Sequence, residues 1–89
     1  MSRFYFHLRS GAEVIADEEG SDWPDVAAAR LEALAAARYI LADAIRSGTE
    51  TIPEAFVIAD SEGRELETVH LAVVLPERFR PQLSSEMVE

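Results

Sequence analysis

Ala55-Phe56-Val57-Ile58-Ala59 is the stretch on which the fold turns. Five apolar residues stand in a row, with Pro53-Glu54 before them and Asp60-Ser61-Glu62-Gly63 just after. A short β-branched and aromatic run between turn residues reads as a strand. Successive side chains of a strand point to opposite faces, so Phe56 and Ile58 share one face and Val57 and Ala59 the other. A strand with one wet face alternates apolar and polar residues. This one does not, so cover is expected on both of its faces.

The flanks supply the rest of a sheet. Asp60-Ser61-Glu62-Gly63 is a hairpin turn with Gly63 in a left-handed position, and Arg64 to Val73 is the returning strand. Leu66 and Val69 have opposite parity within it, which implies a bulge or an early strand end. At the other end of the chain, Phe4, Phe6 and Leu8 alternate with Tyr5, His7 and Arg9. Ser10-Gly11 turns that strand, and Glu13-Val14-Ile15-Ala16 returns it. Asp17-Glu18-Glu19-Gly20 leaves the sheet as an acidic loop.

Between the two hairpins lies an Ala- and Leu-rich helix. Ser21 and Asp22 are N-cap residues by type, and Pro24 suits a first helical turn. Trp23 would staple onto Val26 or Ala27. Gly48 ends the helix, and Arg46 places a cation in its last turn. About 23 residues make it roughly 35 Å long. A 100° projection gathers Val26, Leu31, Ala33, Leu34, Ala37, Leu41, Ala44 and Ile45 on one stripe, with Arg30 and Arg38 inside it. The fold class is therefore α+β, in the order β-β-α-β-β: a four-stranded antiparallel sheet with one long helix packed on one face. Residues 1–75 form a single domain. Residues 76–89, broken by Pro76 and Pro81, form a C-terminal tail, extended or partly disordered.

One helix covers one face, and the other face needs an occupant, because apolar patches of a few hundred Å² are uncommon on a monomer. A second copy of the chain is the preferred occupant. The tail, through Phe79, Leu83, Met87 and Val88, is the alternative. The residues expected at that interaction surface are Tyr5, His7, Val57, Ala59 and His70.

Composition narrows the function. The chain has 89 residues, 8 basic against 17 acidic, for a net charge of −9. No segment is net positive: residues 1–22 hold two Arg and five acids, and residues 49–75 one Arg and six acids. A phosphate backbone or an anionic bilayer would be repelled, so neither nucleic acid nor membrane is an expected partner. There is no Cys and no Lys, which removes thiolate and Schiff-base chemistry and Cys-ligated metals. No signal peptide is read at the N-terminus, so the expected location is the cytoplasm.

Three groups of residues carry side chains capable of chemistry. His7 and His70 sit on the first and last strands; two imidazoles are too few for a defined metal site, and no metal or other cofactor is expected. The acids Asp17, Glu18, Glu19 and Asp22 do not follow the calcium-loop spacing, and read as a solvated loop that caps the helix and pairs with Arg. Arg30 and Arg38 on the helix stripe either pack their stems on the sheet beside acids or contact a small anion. No nucleophile elbow, phosphate loop or dinucleotide fingerprint occurs, so the chain is expected not to be an enzyme.

Arg3-Phe4-Tyr5-Phe6-His7-Leu8-Arg9, Asp17-Glu18-Glu19-Gly20, Pro24-Asp25 leading into Ala28-Ala29-Arg30, and Ile58-Ala59-Asp60 with Gly63-Arg64 together resemble one family. It is a group of short bacterial proteins catalogued as a domain of unknown function. The resemblance covers residues 3–75 and implies the same element order without implying an activity. In that family the last strand often reads Val-Pro-Phe, where this chain has Val69-His70-Leu71. In layout alone the chain also resembles small acidic antitoxins of the HicB type. The functional expectation is a homodimeric, non-enzymatic protein-interaction domain with itself and an unidentified protein as partners. The alternatives are an antitoxin-like inhibitor of a basic protein, or a small anionic-ligand binder using Arg30 and Arg38.

Overall fold

The alternating aromatics at the N-terminus build β1, Ser2–Ser10, and the fold assembles on both of its edges. The computed structural model describes residues 1–80. β2, Glu13–Ile15, folds back on β1 with Leu8 opposite Ile15 and Ser10 opposite Glu13. β3, Ser21–Trp23, pairs Ser2–Phe4 of β1, antiparallel. On the opposite edge β1 meets β4, Ala55–Ala59, with His7 opposite Val57. β5, Glu65–His70, closes the sheet in the order β2-β1-β4-β5. The sheet thus has five strands, one more than the sequence suggested. The extra one is Ser21–Trp23, a three-residue segment too short to show a period.

The helix α1 spans Val26–Ser47. Asp25, not Ser21 or Asp22, is its N-cap: the side chain accepts a hydrogen bond from the Ala28 N–H at 2.9 Å. Ser21 and Asp22 are engaged in β3 instead. Gly48 ends the helix at φ 74°, where a Cβ would be strained. The Gly48 and Thr49 N–H groups return to the carbonyls of Ile45 and Ala44.

The core lies between α1 and one face of the sheet. It joins Phe4, Phe56, Ile58, Val69 and Leu71 to Ala29, Ala33, Ala37 and Leu41, with Trp23 and Val26 packed against it. The helix rests on a row of alanines, each fully buried at positions 29, 33 and 37. Small side chains on the contact line let the helix lie close to the strands. That choice of contact line turns Leu31 and Ile45 outward, 66 % and 75 % exposed. They do not belong to the buried stripe, and neither does the exposed Arg38.

β5 carries the expected irregularity. Ile58 faces Glu67 and Ala59 faces Glu65, so Leu66 is the extra residue of a bulge. The strand ends at His70, and Leu71–Val74 coils into a 3₁₀ turn that seats Leu71 in the core. The strand therefore stops three residues before Val73. A second 3₁₀ turn, Glu77–Phe79, follows. The Arg80 guanidinium donates to the carbonyls of Leu75 and Val73 at 3.0 and 3.1 Å. The remainder of the expected tail, residues 81–89 with Leu83, Met87 and Val88, lies outside the described residues.

Candidate functional site

All five residues of β4 are buried, as the apolar run demands. The helix covers Phe56 and Ile58. Outside the sheet, the main contact of β4 is with α1, on the Phe56 and Ile58 side, yet Ala55, Val57 and Ala59 are only 0 %, 5 % and 2 % exposed. Side-chain height explains it. Each sits between taller neighbours: Ala59 opposite Tyr5, Val57 opposite His7 and Thr68, Ala55 opposite Arg9 and His70. Cross-strand neighbours approach to about 5 Å, close enough for large side chains to roof small ones. The run is thus dry within one chain, and its burial does not by itself call for a second layer.

The second face of the sheet is the candidate site. Tyr5, His7, Thr68 and His70 form its walls, and Val57 and Ala59 its floor. Tyr5 and His7 stack with ring centres 6.4 Å apart and planes at 16°. His7 and His70 do share this face, as the strand parity implied, but β4 lies between their strands. They also stand in different cross-strand rows, His7 opposite Val57 and His70 opposite Ala55, and no cluster of three or more possible metal ligands occurs among the described residues.

His7 is tied down by its other neighbour. Its Nδ1 accepts a hydrogen bond from the Asp17 N–H at 3.0 Å, which places the ring proton of the neutral form on Nε2. Asp17 in turn organises the outer edge of β1. That edge is paired by β2 at Leu8–Ser10 and by β3 at Ser2–Phe4, leaving Phe6 between them. Asp17 fills the gap: one carboxylate oxygen accepts the Phe6 N–H at 3.1 Å, the other the N–H groups of Gly20 and Glu19 at 3.1 and 3.3 Å. Gly20 is required at the next corner. Its φ is 69°, and a Cβ there would stand 2.9 Å from the Phe4 carbonyl oxygen. Of the two roles expected for this loop, pairing with Arg is present, since the Arg3 guanidinium meets the Asp22 carboxylate at 3.2 Å and donates to the Glu19 carbonyl at 2.6 Å, and capping of the helix is not. The helix is capped elsewhere, and Asp17 is a surrogate strand.

Partial burial pushes the Asp17 carboxyl up, but the three backbone N–H groups and nearby His7 outweigh it and hold it below the ordinary carboxylate range. A folded-state value below the unfolded one means that Asp17 stabilises the fold above the ordinary range. This contribution is lost as pH falls through the folded-state value. Replacing Asp17 with Ala should cost about 1–2 kcal/mol at pH 7, because these donors lose a charged acceptor. In urea melts the gap between wild type and Asp17→Ala should narrow as pH drops below about 4. A gap that stays constant down to about pH 2 would contradict the assignment.

The two arginines part company. Arg30 reaches across the core face to Glu67, with Nε 3.0 Å from a carboxylate oxygen. Arg38 points outward and has no ion pair among the described residues. Eight residues put about 12 Å of helix axis between them, so they do not converge on one anion. Sequence reasoning also missed Glu54. Its two carboxylate oxygens hold Arg9 (3.4 Å) and the Gly11 N–H (3.2 Å), fixing the first hairpin. A cavity of about 240 Å³ opens beside the end of α1, lined by Leu41, Ile52, Pro53, Glu54, His70 and Leu75 among others. It is smaller than the roughly 300–1,000 Å³ of ordinary ligand pockets.

No helix among the described residues is long and apolar enough to cross a membrane. An antiparallel sheet with one long helix on one face defines an α+β domain. Residues 3–72 match the family model described as Domain of unknown function (DUF6894), and the chain belongs to that family. No curated protein matches the chain, and no solved structure does.

Proposed function

We propose that this chain is a non-enzymatic, homodimeric protein-interaction domain that works in the cytoplasm, with the second face of its sheet available to a protein partner. One observation carries the reading: both layers of the fold present apolar groups outward. The sheet offers the Tyr5–His7 stack and His70, and the helix offers Leu31, Tyr39 and Ile45, which are 66 %, 72 % and 75 % exposed. Single exposed apolar residues are ordinary, but an aligned set on one element marks a contact surface. The acidic surface adds selectivity, since a net charge of −9 repels nucleic acid and favours basic or neutral partners.

Amide spectra of the isotope-labelled chain test the self-association. Between about 20 μM and 1 mM, a contiguous set of resonances should shift along one saturable curve, as expected for micromolar pairing. Unchanged spectra together with the translational diffusion of a single chain over this range would overturn the homodimer.

A further inference from the structure

The outward side of α1 has a regularity that the buried side does not use. Ala28, Leu31, Ala35, Arg38, Ala42 and Ile45 recur at spacings of three and four. This is the seam along which one helix packs on another. Five of the six are exposed, and none serves the core. Small residues alternate with the larger Leu31 and Ile45, so a second helix could approach to about 8 Å.

Charge decides what that second helix is. On one flank of the seam stand Glu32, Tyr39 and Arg46, seven residues apart. In an antiparallel pair about a two-fold axis near Tyr39, Glu32 meets the partner's Arg46, and Arg46 meets the partner's Glu32. The same operation sets Leu31 beside the partner's Ile45 and Ala35 beside the partner's Ala42. It also brings Arg38 within a turn of the partner's Asp43. A parallel pair would lose these contacts and set Arg38 against its own copy. Glu32 and Arg38 have no ion pair within the described residues, and Arg46 holds only an exposed link to Asp43 at 3.3 Å. A two-fold contact uses the same patch on both copies, and this patch is complementary to itself.

We infer that a second copy of this chain docks antiparallel on the outer face of α1 through the Ala28–Ile45 seam. This rests on the homodimer reading and moves the contact from the sheet to the helix, which leaves the Tyr5–His7 face open. The seam is roughly 26 Å long. An interface of that length falls in the small, weak class, with dissociation in the range of about 10–100 μM.

Sedimentation equilibrium on the full chain and its variants tests this. Leu31→Glu should weaken pairing at least about tenfold with an unchanged circular dichroism spectrum, because Leu31 is exposed. Glu32→Arg alone and Arg46→Glu alone should each weaken it about five- to tenfold, since each sets like charges together across the axis. The double variant should return to within about twofold of wild type, the reciprocity expected of a directly coupled pair. No rescue in the double variant overturns the proposal. So does a wild-type dimer that withstands Leu31→Glu but dissociates with Tyr5→Glu, an outcome that keeps the homodimer and returns it to the sheet. A wild-type chain that stays monomeric overturns both readings.

Discussion

Ile58→Ala is expected to lower the free energy of unfolding by about 3–4 kcal/mol, read from the urea midpoint at neutral pH. Ile58 is fully buried on the central strand and belongs to the cluster that joins Phe4 and Phe56 to the alanine row of the helix. Truncation removes three carbon atoms from a site closed by strands on either side and the helix above. The cavity cannot collapse easily, so the transfer and cavity costs add. Domains of this size are held by roughly 5–15 kcal/mol, so the loss is a large share of the total. A shift under about 1 kcal/mol would mean that the helix does not seal this face.

Ala33→Leu is expected to destabilise by about 2–3 kcal/mol although it adds apolar surface. Ala33 is fully buried where the helix rests on the sheet. A larger side chain must lift the helix or leave its rotamer, and either breaks the close approach on which the neighbouring contacts depend. Ala27→Leu, on the exposed side one turn and a half earlier, should change stability by no more than about 0.5 kcal/mol. Equal effects at the two positions would contradict the packing direction of α1.

The hairpins, the helix and its end at Gly48 were legible because each rests on local signals: period-two aromatics, a turn sequence, a glycine free to take positive φ. An irregularity in β5, as a bulge or an early end, was legible from parity; the choice of Leu66 was not. The facing of the helix was not. An Ala-rich segment has apolar residues all round, so its projection cannot say whether the alanines or the leucines take the sheet. Close packing chose the alanines and put Leu31, Arg38 and Ile45 in water. β3 and the Asp17 hub escaped for a different reason. Both depend on the outer edge of β1, which gives Ser2–Phe4 to β3 and the Phe6 N–H to Asp17, residues eleven or more positions away, a separation that no short window along the chain contains. The dryness of Ala55–Ala59 is legible in the unbroken apolar run, but its source is not: the small residues are roofed by neighbours on adjacent strands. The walls of the open face, Tyr5, His7 and His70, followed from parity.

Association of the unmodified chain is the most direct measure of what this fold is for. At about 0.15 M salt the charge repulsion between copies is screened beyond roughly 8 Å. A chain of 9.8 kDa should then show a weight-average mass that climbs toward twice its own as loading rises into the hundreds of micromolar, at about 100 μM and above. A mass fixed at that of one chain up to about 1 mM would contradict the account.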